Sequence, residues 1–166
     1  MRDLFLPLSI TMSLVSFGLI ARWYVMPLLA RYTLRDALTP FLLFHSFRHI
    51  GLAFLIVGVT SSPLDPGFAE PAAYGDLLAA ALAFVALIGL RLNWMIAIPL
   101  VWLFNIEGLL DLMNAVYRGF QRVPDGEFGA TYFIPAIVVP ALLVTHMIVF
   151  ALLIRRPDDT ETEASA

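Results

Sequence analysis

Glu107, Asp111, Asn114 and Arg118 stand at i, i+4, i+7 and i+11, so on one helix they form a single polar stripe. Two carboxylates at that spacing, with an amide and a guanidinium beside them, suit acid–base work or the capture of a ligand's polar end. A second polar island, Phe44-His-Ser-Phe-Arg-His-Ile50, places His45, Arg48 and His49 at i, i+3 and i+4, again on one helical face. The third histidine is His146, and Asp76, Asn105 and Trp102 complete the set of candidates. Glu107, Asp111, His49 and Asp76 are the acid–base candidates. His45, Arg48, Asn105, Asn114, His146 and Trp102 are the ligand-binding candidates.

All of these side chains interrupt apolar runs. The 166 residues are 60% hydrophobic, with a mean hydropathy of +0.86, well outside the soluble globular range. Ionisable groups inside a membrane helix are expensive and face a bundle interior or a water-filled cavity. Five runs are separable, at about 4–30, 38–59, 74–90, 94–117 and 130–154. The expected fold is therefore all-α, an integral membrane bundle of five transmembrane helices in one domain over 1–157, with a disordered acidic tail over 158–166. Residues 60–71, with three prolines and a glycine, read as the clearest loop. The first run continues through Trp23 and Tyr24, so it reads as an uncleaved helix rather than a signal peptide. Asp76 near the start of the third run has a plain reading as a carboxylate favoured by the helix dipole. Ala79 and Ala83 form a small-xxx-small pair suited to close helix approach.

Arg22, Arg31, Arg35, Arg91, Arg155 and Arg156 fall on one side of such a bundle, and Arg2, Arg118 and Arg122 on the other. The excess puts the N-terminus outside and the C-terminus in the cytoplasm. At about 1.5 Å per residue, His45, His49 and His146 then lie roughly 10, 16 and 12 Å from the inner helix ends, and Glu107 roughly 20 Å. Arg48 against Glu107 or Asp111 would neutralise charges that are otherwise costly in lipid. One arginine cannot satisfy two acids, an asparagine and three imidazoles, which leads to the expectation of a polar cavity between the second, fourth and fifth helices, lined by His49, Glu107, Asp111 and Asn114. The plain alternative is an ion pair that only pins helices together.

Much chemistry is excluded outright. The chain has no cysteine and no lysine, hence no disulfide, thiolate nucleophile or lysine Schiff base. It has no glycine-rich phosphate loop, nucleophile elbow or basic aromatic patch, and no nucleic-acid partner is expected. No cofactor is expected either, although His45 and His49, with His146, leave haem or a metal ion as an alternative.

Asp76, the turn after Gly89-Leu-Arg91, Asp111, Arg118-Gly-Phe-Gln121, Gly126-Glu-x-Gly129 and Tyr132-Phe133 together resemble the emopamil-binding protein and sigma-2 receptor family, the EXPERA fold. The likeness spans roughly Tyr74 to Ile154. His45 or His49 is the counterpart of that family's helix-two histidine. The family's glutamate one turn later is absent here, as are the asparagine and tryptophan of its last helix. The resemblance implies a five-helix bundle with an intramembrane pocket, lined by acids, for sterol-like or cationic amphiphiles. In the isomerases of the family such acids move a proton across a double bond. The chain also reads like many small bacterial membrane proteins.

The function expected is thus intramembrane binding of a sterol-like or other amphiphilic lipid, with acid–base isomerisation as its catalytic extension. The alternatives are a transporter or haem-binding redox subunit that uses the histidines, and an accessory subunit whose polar groups only hold helices. The bilayer is the expected partner, with a homo-oligomer or larger membrane complex open, and the location is the bacterial inner membrane.

Overall fold

The computed structural model describes residues 4–155, which form five helices: α1 Phe5–Leu29, α2 Leu34–Leu55, α3 Pro66–Arg91, α4 Ala97–Arg122 and α5 Gly129–Arg155. No strand occurs among the described residues. Each helix is long and apolar enough to cross a membrane. Arg2, Arg156 and the acidic tail expected at 158–166 lie outside the described residues.

Helix ends differ from the sequence reading for local reasons. Thr33 starts α2 four residues before Leu38: its Oγ accepts from the Asp36 N–H (3.2 Å) and its hydroxyl donates to Asp36 Oδ2 (2.9 Å). The prolines of the loop expected over 60–71 are partly helical. Pro66 opens α3, where its missing N–H is not needed. Pro71 lies inside α3 and cannot donate to the Gly67 carbonyl; Arg118 Nη1 donates to that oxygen instead, at 2.9 Å. Between α3 and α4, Asn93 takes a left-handed conformation (φ 53°), while the Trp94 N–H reaches Gly89 O (2.9 Å) and the Asn93 N–H reaches Leu90 O (3.4 Å). These paired bonds close the helix with a Schellman motif.

Four segments of these helices depart from α geometry, the first turn of α5, Gly129–Tyr132, being a 3₁₀ turn. α1 contains a π turn at Ala21–Val25, α5 contains one at Ile134–Val138, and the last nine residues of α2, Phe47–Leu55, are a 3₁₀-helix. Such 3₁₀ runs rarely exceed three or four residues. With three residues per turn, Arg48, Gly51 and Phe54 fall in line, and these are the buried residues of the segment.

α3 is the central helix, packed against α2 and α4. Its buried face is built from Ala69, Ala72, Ala73, Ala79, Ala80, Ala83 and Ala86, small enough for close approach on both sides. α1 packs chiefly on α5, and Ser9 Oγ meets the Tyr132 hydroxyl at 3.0 Å. The buried apolar residues form two clusters. One gathers Leu38, Leu42, Ala83, Val101, Phe104 and Val149; the other gathers Phe54, Phe68, Leu112, Phe128, Ile134 and Val139. Between them lies a polar layer.

Candidate functional site

Arg48 is the centre of that layer. Its residue is 1% exposed, and the 3₁₀ turn aims it across the bundle. Nε donates to Asp76 Oδ1 on α3 (2.8 Å), Nη2 to Asp111 Oδ2 on α4 (2.7 Å) and Nη1 to the Gly108 carbonyl (2.9 Å). Nη1 also faces His146 Nε2 of α5 at 3.4 Å. One guanidinium therefore ties four helices with charge-assisted hydrogen bonds. Asp111 is one of the two acids expected opposite Arg48. Asp76 was expected near a helix start; it is eleven residues into α3, too far for the helix dipole, and serves as the second anion.

Three glycines make the room. A Cβ on Gly51 would strike the Asp76 carboxylate, and one on Gly75 the Asp111 carboxylate. A Cβ on Gly108 would lie 2.7 Å from Arg48 Nη1 and 2.9 Å from His146 Cε1. α2, α3 and α4 thus each give up a side chain where a charged group passes. The sequence reading did not single these glycines out.

Asn105, fully buried, fixes His146. Its Nδ2 donates to the His146 carbonyl (3.2 Å), which leaves Oδ1 to accept from His146 Nδ1 at 2.7 Å. Nε2 is then the acceptor that Arg48 faces. His45 is also fully buried; its ring centroid is 4.2 Å from that of His146, and its Nε2 is 2.9 Å from Thr145 Oγ. Among the described residues His45 Nδ1 has no hydrogen-bond partner. Glu107 is half-buried beside the layer, with Oε2 buried and without a hydrogen-bond partner among the described residues.

Other candidates lie apart. His49 does not share the face of His45 and Arg48: it is exposed, because 3₁₀ winding turns residue 49 about 120° from residue 48 and away from the bundle. Asn114 accepts from Arg118 Nε at 2.8 Å, and Arg118 also holds Gly67 O of α3, so the lower half of the polar stripe stands apart from the Arg48 layer. Trp102 packs on Phe150, ring centroids 5.7 Å apart, in the apolar cluster. The three histidines do not converge, and among the described residues no group of three or more histidine or acidic side chains is placed to hold a metal ion.

The space expected as a cavity between α2, α4 and α5 is filled by Arg48, His45, His146 and Asn105. A cavity of about 180 Å³ lies instead on the other side of Asp76. Leu6, Ile10 and Leu14 of α1 wall it on one side and Leu112, Ala115 and Val116 of α4 on another; Phe54, Phe68, Phe128, Val139 and Leu143 are among its other apolar lining residues. Asp76 is the only charged side chain among its lining residues. Glu107, Asp111, Asn114 and His49 do not line it.

Among comparisons with known proteins, one family model, described as a domain of unknown function (DUF8737), matches residues 5–154. No curated protein and no solved structure matches the chain.

Proposed function

The chain belongs to the DUF8737 family, and we propose that it binds an elongated, mostly hydrocarbon amphiphile inside the membrane. The observation that carries this reading is the cavity of about 180 Å³, apolar except for Asp76. Few precisely placed polar groups in an apolar recess are the usual composition of a small-molecule site. An apolar cavity of about 150 Å³ is enough to bind benzene. The recess therefore suits a ring or a length of acyl chain, with the remainder of the ligand outside it. Asp76 supplies a hydrogen-bond acceptor and negative charge at the wall, and its Arg48 bond holds it in place. The ligand's polar end is thus a donor, such as a hydroxyl or an ammonium group. Should the bound molecule carry a double bond there, Asp76 is the acid–base group in reach, in keeping with the likeness to the emopamil-binding protein family.

The arginine bias supports an outer N-terminus and a cytoplasmic C-terminus in a bacterial inner membrane. The turns that join α1 to α2 and α3 to α4 lie at one end of the bundle, where Arg35 Nη1 meets Leu90 O at 3.4 Å.

Ligand-induced stabilisation in detergent tests the binding reading, because a ligand of the folded state alone raises the unfolding midpoint. A long-chain alcohol or amine is expected to stabilise the wild type. Ala115→Phe, which fills the cavity and leaves the Arg48 layer intact, is expected to lose the effect. Equal stabilisation of both proteins, or of neither, contradicts the reading.

A further inference from the structure

Outside the bundle, α2 and α5 enclose a groove of about 530 Å³. Phe44, Phe47, Leu52, Val138 and Leu142 make it apolar, and His49 is exposed in it. His49 is the sixteenth residue of the 22-residue span, well away from the ends of the helix. Its Nδ1 lies 3.0 Å from the Ser46 carbonyl. A carbonyl oxygen only accepts, so in the neutral imidazole Nδ1 carries the proton and Nε2 is left as a bare lone pair. Nε2 has no hydrogen-bond partner among the described residues. The bond to Ser46 and the neighbouring Phe47 ring, with centroids 6.1 Å apart, orient the imidazole.

Acyl tails offer no hydrogen-bond donor, and water is scarce at this depth, so an outward-facing acceptor here is costly unless something covers it. The geometry points to a second binding site in this groove, for a bilayer-dissolved molecule that carries an alcoholic or phenolic hydroxyl on a hydrocarbon body and donates that hydroxyl to His49 Nε2. An imidazole anchored through Nδ1 is also the arrangement of a metal ligand. A haem, however, brings carboxylates, and the groove's cation is Arg48, whose guanidinium already holds Asp76, Asp111 and Gly108. The hydroxyl compound is therefore the occupant assigned. This groove is distinct from the cavity beside Asp76, and neither site depends on the other being filled.

The test uses 4-octylphenol and its methyl ether, 4-octylanisole, which differ in the donor. Their affinities are measured on the full chain in nanodiscs, with ¹⁵N NMR of the histidine rings. The phenol is expected to bind about ten-fold tighter than the ether, as one hydrogen bond implies. The His49 Nε2 resonance is expected to move with the phenol alone. Ala115→Phe, which closes the Asp76 cavity, is expected to keep the preference for the phenol, and adding His49→Phe on that background, at an exposed position, to reduce the ratio to about one. Equal affinities in the wild type overturn the proposal, as does a ratio that vanishes in Ala115→Phe alone or survives His49→Phe on the Ala115→Phe background. A haemin absorption band that His49→Phe abolishes would make the residue a metal ligand and also overturn it.

Discussion

Arg48 draws together two carboxylates, a carbonyl and an imidazole in a site with almost no exposure, and its value shows when a partner is lost. Arg48→Met leaves Asp76 and Asp111 buried without their cation, and is expected to cost about 3–5 kcal/mol of stability in thermal unfolding. The glycines around it give a sharper expectation. Alanine is the better helix former by about 1 kcal/mol, so Gly→Ala ordinarily stabilises a helix. At Gly51, Gly75 and Gly108 the added methyl meets the charged layer, and each change is expected to destabilise by about 1–3 kcal/mol. Gly18→Ala is the control: nothing lies within 4 Å of its Cβ, so the midpoint should hold or rise. The Arg48–Asp111 pair was legible because spacing alone put both groups inside apolar runs. Asp76 was obscured by a helix start read eight residues late, which made it look like a dipole partner. The glycines carry no sequence signal of their own, since only the packed structure shows what a methyl would meet.

Among the elements, α2 departs furthest from expectation. A regular α-helix would have put His45, Arg48 and His49 on one face; the 3₁₀ segment aligns Arg48, Gly51 and Phe54 and turns His49 outward. Hydrophobic periodicity could not reveal this, because a run apolar on nearly every side fits either winding. α3 illustrates the opposite error. Three prolines read as a loop, yet one opens the helix and another is tolerated because Arg118 satisfies the carbonyl it orphans. Arg118→Met should leave Gly67 O without a donor and cost about 1–3 kcal/mol. In Pro71→Ala the restored N–H can reach that oxygen, so Arg118→Met on this background should cost clearly less. Equal costs on the two backgrounds would show that Arg118 acts elsewhere, and unfolding midpoints of the four proteins measure the difference.

At the scale of the whole molecule, apolar clusters at both ends sandwich one polar layer, and the cavity adjoins that layer at Asp76. The five long apolar helices were legible because each is a separable apolar run of the length a membrane crossing needs. The cavity's position was not, since it depends on α1 leaning on α5 while Leu6, Ile10 and Leu14 face α4 across a gap. The proposed orientation predicts that a reporter active only in the cytoplasm gives signal when fused after residue 166. Signal from the same reporter placed in the 56–65 connection would reverse the orientation. Native mass spectrometry of protein released from its own membrane tests ligand binding most directly. The wild type is expected to retain one mostly hydrocarbon amphiphile through a wash that strips bulk phospholipid, and Ala115→Phe to emerge bare. Retention of the same molecule by both proteins, or of none by the wild type, would contradict the cavity as a binding site.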